Sequence, residues 1–124
     1  MKIFKLSQTY QNIVDPMYLT KMVKSFHHNL ADFEEGDLID RIHNYSYWKL
    51  VDYDISKLQL DEWYVEEEYV EDYVEETKNN PNYPPVIIDD KSSNIPTIVD
   101  GTHRLNALNE LGHTTVKAYV PYKK

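Results

Sequence analysis

Asp100-Gly101-Thr102-His103-Arg104 gathers a carboxylate, a hydroxyl, an imidazole and a guanidinium within five residues, with a single glycine among them. These are the groups that handle phosphate. Guanidinium and imidazolium donate charge-assisted hydrogen bonds to anionic oxygens, and a carboxylate can share Mg²⁺ with them. The run begins where the apolar Ile98-Val99 ends and a stretch with Leu105, Ala107, Leu108 and Leu111 at helical spacing takes over. A strand-to-helix junction presents unpaired backbone N–H groups and the positive end of the helix dipole, which makes it an anion site. Gly101 gives backbone angles closed to other residues and lets a ligand approach the main chain. Thr102 reads as the N-cap, and its hydroxyl serves equally well for a phosphate oxygen. A structural use of the same side chains is also open: Asp100 capping the turn, Arg104 paired with a carboxylate of an acidic helix, and His103 half-exposed.

The flanking elements follow from periodicity. Val86-Ile87-Ile88-Asp89 reads as a short buried strand, Asp90 to Asn94 as turn residues and Pro96 to Val99 as the returning strand, together a hairpin with a loop of about five or six residues. Gly112 stands where a helix C′ glycine belongs, and Val116 to Val120 alternates as a last strand that Pro121 ends. Tyr47 to Ile55 reads as another strand, with Val51, Tyr53 and Ile55 on its buried side. It leads through Leu58-Gln59-Leu60 to an acidic-aromatic corner, Asp61-Glu62-Trp63. Val65, Tyr69, Val70, Tyr73 and Val74 then share one helical face. Asp61 to Glu76 holds nine acidic residues and no Lys or Arg, either a solvated helix face or a patch that docks a basic partner or mimics nucleic-acid charge.

Residues 1–45 read as a helical extension. Lys2 to Leu6 is a short strand or helix. Asp15-Pro16 starts a helix, with Asp as N-cap and Pro at its first position, and Tyr18, Leu19, Met22, Val23, Phe26 and Leu30 form its apolar stripe. Adjacent histidines on a helix point about 100° apart, so His27-His28 reads as a surface pair rather than a chelate. Gly36 breaks the next segment, and Asp37 to Ile42 forms a short helix.

Composition narrows the classes. The 124 residues suit one ordinary domain, 41% hydrophobic and 27% charged, within the globular range. With no cysteine, disulfides, thiolate metal sites and cysteine nucleophiles are excluded. No apolar run approaches the roughly 18 residues that span a bilayer, and no leader pattern opens the chain, so a cytoplasmic protein is expected. A net charge of −8 opposes direct DNA binding. Eleven tyrosines supply core and contact surface without identifying a ligand.

The order strand, acidic corner, helix, Pro-Pro-strand, hairpin, Asp-Gly-Thr-His-Arg, helix, Gly, strand resembles the ParB/sulfiredoxin superfamily over residues 46–121. Val99 to Gly112 is its most specific part and looks like that family's "DG-x-HR-x-x-A-L-x-x-L-G" signature. The resemblance implies an α+β fold, a small mixed sheet with packed helices in a domain at 46–124, carrying the 1–45 extension. Sulfiredoxins have a cysteine just before the His-Arg pair; Thr102 stands there, so reduction of a sulfinic acid by that chemistry is excluded. Partition proteins of the superfamily bind CTP through an Arg-rich turn and continue into DNA-binding domains; this acidic chain has no helix-turn-helix signal. The free serine kinases of the superfamily match best, with an Asp-Gly-His-His-Arg turn that holds nucleotide phosphates and a glutamate after the first strand that acts on the substrate hydroxyl.

By that similarity Asp100, Gly101, Thr102, His103 and Arg104 hold the phosphates of ATP, ADP or CTP, Asp100 takes Mg²⁺, and Glu62, with Asp61 and His103, carries catalysis. Thr102 replaces a histidine, which leaves the acceptor open. The expectation is a nucleotide-binding protein acting as a phosphotransferase or NTPase on a small hydroxyl compound or water. The alternative is a non-catalytic module that binds a basic protein through residues 61–76. Nuclease activity lacks a clustered carboxylate set.

Overall fold

A computed structural model describes residues 10–26, 32–58 and 84–123. Strands β1 (Ile13–Val14), β2 (Tyr47–Asp54), β3 (Val86–Asp89), β4 (Thr97–Asp100) and β5 (Thr115–Tyr122) form one sheet in the order β1-β2-β5-β3-β4. Among the described residues only the β3–β5 pairing is parallel; the rest are antiparallel. Among the described residues the α-helices are α1 (Pro16–Phe26), α2 (Asp32–His43) and α3 (Thr102–Glu110). This is the α+β architecture with a mixed sheet that the sequence implies. Asp61, Glu62 and the acidic stretch 61–76 lie outside the described residues, as do Lys2 to Leu6 and His27-His28.

The sheet separates two apolar clusters. On one face α1 and α2 bring Leu19, Met22, Val23 and Ile42 against Val14, Trp48, Ile87 and Tyr119. On the other, Leu105 and Leu108 of α3 pack with Val86, Ile88, Val116 and Ala118. The alternation in β2 therefore serves both faces: Trp48 joins the first cluster and Tyr53 borders the second. Trp48 is fully buried, and its indole N–H donates to the carbonyl of Ile42 at 3.0 Å, which satisfies the ring's one polar group. The β1–β2 pairing and the first cluster build β1, α1 and α2 into the same sheet and core as the later strands.

Three local expectations are corrected. Gly36 does not break a helix, since α2 runs through it from Asp32 to His43; a glycine costs a helix interior only about 1 kcal/mol relative to alanine, which burial of Ile42 offsets. Pro121 does not end β5, which continues to Tyr122 with Pro121 opposite Trp48. The N–H of Leu50 donates to Asn12 on the β1 side, so Trp48, two residues away, also turns its backbone from β5. The Trp48–Pro121 pair thus needs no N–H from proline. The hairpin loop spans residues 90–96, slightly longer than expected. Asp15 does cap α1, accepting from the N–H of Tyr18 at 2.9 Å.

The loop is held at its base by one buried carboxylate. Asp89 Oδ1 accepts from the N–H of Lys91 at 3.0 Å, the N–H of Ser92 at 3.2 Å and the Tyr45 hydroxyl at 3.0 Å, while Oδ2 accepts from Ser92 Oγ at 2.5 Å. Burial alone would raise its pKa, but these donors outweigh it and hold the carboxyl below its ordinary value of 3.8. A depressed folded pKa contributes stability above the unfolded value, lost as pH falls through the folded one. Asp89→Asn is expected to cost about 1–3 kcal/mol at neutral pH. The gap between variant and parent should begin to close near about pH 4 and vanish only below the folded pKa when urea unfolding is followed down to strongly acid solution; a gap unchanged across that range would contradict the assignment.

Candidate functional site

The candidate site is the β4–α3 turn. A bulge shapes its approach: Ile88 pairs with Ile98 but Ile87 pairs with Asp100, leaving Val99 as the extra residue. Bulges re-aim side chains, and here Asp100 rather than Val99 comes opposite Ile87. Gly101 follows with φ +103°, a left-handed conformation that L side chains rarely adopt. It is the N-cap of α3, which corrects Thr102 as the capping residue: the glycine turns the chain one position earlier, and Thr102 already has helical backbone. A glycine offers no side-chain acceptor, so nothing on the N-cap residue itself caps the first turn. The other end closes as expected, with Gly112 at φ +86° donating to Asn109 and His113 donating to Leu108.

Arg104 is buried to 1% exposure directly beneath this turn. Its Nη2 donates to Asp100 Oδ2 and to the carbonyl of Pro85, each at 3.3 Å. Asp100 is almost as buried, at 6%. The pair therefore ties the end of β4, the first turn of α3 and the chain just before β3 to one another. Gly101 is pressed onto the same point. A methyl group there would lie 2.5 Å from Val86 Cγ1 and 3.0 Å from Arg104 Nη2. What approaches the glycine closely is the protein's own core.

The predicted phosphate residues thus divide by role. Thr102 and Gly101 are half-buried and border solvent, while Asp100 and Arg104 engage each other inside. His103 belongs to the first turn of α3. On its backbone side the α3 N-terminus presents N–H donors and the positive end of the helix dipole. The guanidinium lies behind that end as fixed positive charge with Asp100 as its counter-ion. Among the described residues no group of three or more His, Cys, Asp or Glu could hold a metal ion. The extension also reaches the site's electrostatics. The Tyr10 hydroxyl is buried with no hydrogen-bond partner among the described residues; burial pushes its pKa up to about 12, partly opposed by the charge of Arg104.

No protein-family model and no curated protein matches the chain. A search of solved structures finds the crystal structure of sulfiredoxin from Arabidopsis thaliana, with a TM-score of 0.50 and 14% identity, covering 60% of this chain and 85% of that one. The fold is therefore ParB/sulfiredoxin-like, in agreement with the signature at residues 99–112. At that identity the likeness concerns the fold alone. Thr102 occupies the place before His103-Arg104, and the chain holds no cysteine to carry sulfiredoxin chemistry. Among the described residues no helix is long and apolar enough to cross a membrane.

Two stability measurements test this geometry. Gly101→Ala combines left-handed strain with a clash and is expected to cost about 2–4 kcal/mol, whereas Gly112→Ala, with open space around it, costs about 1 kcal/mol. Equal losses in urea would contradict the close packing on Val86. Arg104→Met should cost about 3–5 kcal/mol by stranding the Asp100 carboxylate, and Arg104→Met with Asp100→Asn should recover part of that loss. Strict additivity in the double-mutant cycle would exclude the pairing.

Proposed function

We propose that the protein binds a nucleotide by its phosphates at the β4–α3 turn. The observation that carries the reading is the glycine N-cap: α3 begins without an N-cap side-chain acceptor, and the buried Arg104–Asp100 pair fixes the turn behind the helix end. The backbone N–H groups of the first turn orient the phosphate, the Thr102 hydroxyl adds a donor, and the His103 imidazole completes the set when protonated. ATP, ADP and CTP are the candidates, with Mg²⁺ accompanying the nucleotide; Asp100, the carboxylate expected for it, would have to exchange its Arg104 partner for the metal. Phosphoryl transfer depends chiefly on positioning and on neutralising charge at the transferred group, which such donors supply.

On this reading the protein is a phosphotransferase or NTPase, and Glu62, with Asp61 beside it, is the general base toward a hydroxyl or water. A second reading is a non-catalytic module that docks a basic protein through residues 61–76, favoured by nine acids unrelieved by any Lys or Arg.

Unfolding in the presence of ATP, ADP or CTP, with and without Mg²⁺, separates them. A bound nucleotide at 100 times its Kd should add about 2.7 kcal/mol. Thr102→Asp places a fixed carboxylate at the helix start, which helps the helix by about 0.3–1 kcal/mol while competing with the ligand. The fold should survive and the nucleotide effect should vanish. Glu62→Gln should lower phosphate release at least about 100-fold with binding intact. No stabilisation by any nucleotide would favour the docking module, and binding without release would leave a nucleotide-sensing protein.

A further inference from the structure

A second concave surface lies at the opposite end of β4 from Gly101, where β2 begins and β5 ends. It is an open cleft of about 560 Å³ walled by Tyr45, Tyr47, Lys91, Pro121, Tyr122 and Lys123. The size lies in the range of small-molecule sites, and the lining of aromatic rings with a few cations is the composition such sites use. Two lysines, Lys91 and Lys123, stand at its mouth on a chain of net charge −8. Asp90 Oδ1 lies 3.8 Å from Lys91 Nζ, and Lys91 remains 61% exposed.

The walls are fixed before any ligand arrives. Tyr45 stands edge-on to the buried Trp48, with ring centroids 5.5 Å apart. Its hydroxyl donates to Asp89 and lies 2.8 Å from Ser92 Oγ, which joins the α2–β2 connection to the hairpin loop that bears Lys91. Tyr122 carries Lys49 Nζ 5.4 Å from its ring centroid, a cation–π contact that restrains the ring. Tyrosines held in this way bury a flat ring at little entropic cost, and lysines at the rim take the charge attached to it.

We propose that this cleft binds a small organic anion bearing a planar ring, stacked against the tyrosines with its phosphate or carboxylate toward Lys91 and Lys123. The site is separate from the β4–α3 turn and stands whether or not a nucleotide binds there. An aromatic carboxylate and a nucleoside monophosphate share the chemistry, so both are tested.

The test is a titration of ¹⁵N-labelled full chain with 1-naphthoate, adenosine 5′-monophosphate, the uncharged 2-naphthylmethanol and acetate. Saturable shifts are expected at the amides of residues 44–47, 91, 122 and 123, with 2-naphthylmethanol at least about tenfold weaker and acetate silent. The tighter of the first two probes identifies the anionic group. Lys91→Glu with Lys123→Glu, both on exposed side chains, should weaken binding at least about tenfold with the remaining spectrum unchanged. The proposal is overturned by shifts confined to residues 101–104, by shifts scattered over the surface, by equal binding of the charged and uncharged rings, or by charge-reversed variants that bind as well as the parent.

Discussion

A guanidinium placed behind the positive end of a helix is in an unfavourable field, and the fold accepts that arrangement because Asp100 lies beside it. The Arg104–Asp100 contact is the constraint on which the β4–α3 turn depends. Both charges have given up most of their hydration, a cost that direct pairing and the carbonyl of Pro85 offset. The geometry follows from the need to keep them together. Val99 bulges so that Asp100 comes opposite Ile87, and Gly101 has no side chain because Val86 and the guanidinium fill the space that one would need. The helix begins where these demands leave it, one residue earlier than a threonine cap would have set.

Where local chemistry dominates, the sequence was readable. Asp15-Pro16 opens α1, the turn residues after Asp89 mark the hairpin, and Leu105, Ala107 and Leu108 are the buried stripe of α3. Gly112 closes that helix because only a left-handed residue allows its last carbonyls to be satisfied. Tertiary context overrode local signals elsewhere. Gly36 stays helical within a packed α2, and Pro121 stays in the sheet because its neighbour across the strand asks nothing of its nitrogen.

The candidate site was legible in part for the same reason. Asp100 to Arg104 are contiguous, so their meeting needs no knowledge of the fold, but the inward direction of Arg104 is a property of the core and has no local sign. The cleft of Tyr45, Tyr47, Lys91 and Tyr122 draws on three separate segments. Abundant tyrosine was its one trace in the sequence, and abundance does not tell which rings converge. Asp61 and Glu62, the other half of the expected site, lie outside the described residues.

This is a chain of 21 acidic residues, yet the acids it buries among the described residues are Asp89 and Asp100. They stand at the two ends of the β3–β4 hairpin and are satisfied by opposite means. Asp89 is solvated by neutral donors, two backbone N–H groups and two hydroxyls, so its charge persists unpaired and acts as a latch for the loop. Asp100 is neutralised by a cation, which leaves no net charge behind the α3 N-terminus beyond the helix dipole itself. An incoming anion at the turn therefore meets backbone donors backed by a neutral pair rather than a bare arginine. Affinity there would come from the turn's geometry more than from long-range attraction, as suits a surface whose overall charge repels anions. The lysines at the other end of the hairpin act the opposite way: they are solvent-borne charges whose pull on a ligand falls with salt. On the two proposals, one hairpin would separate two modes of anion recognition, the first set by buried backbone and the second by exposed charge.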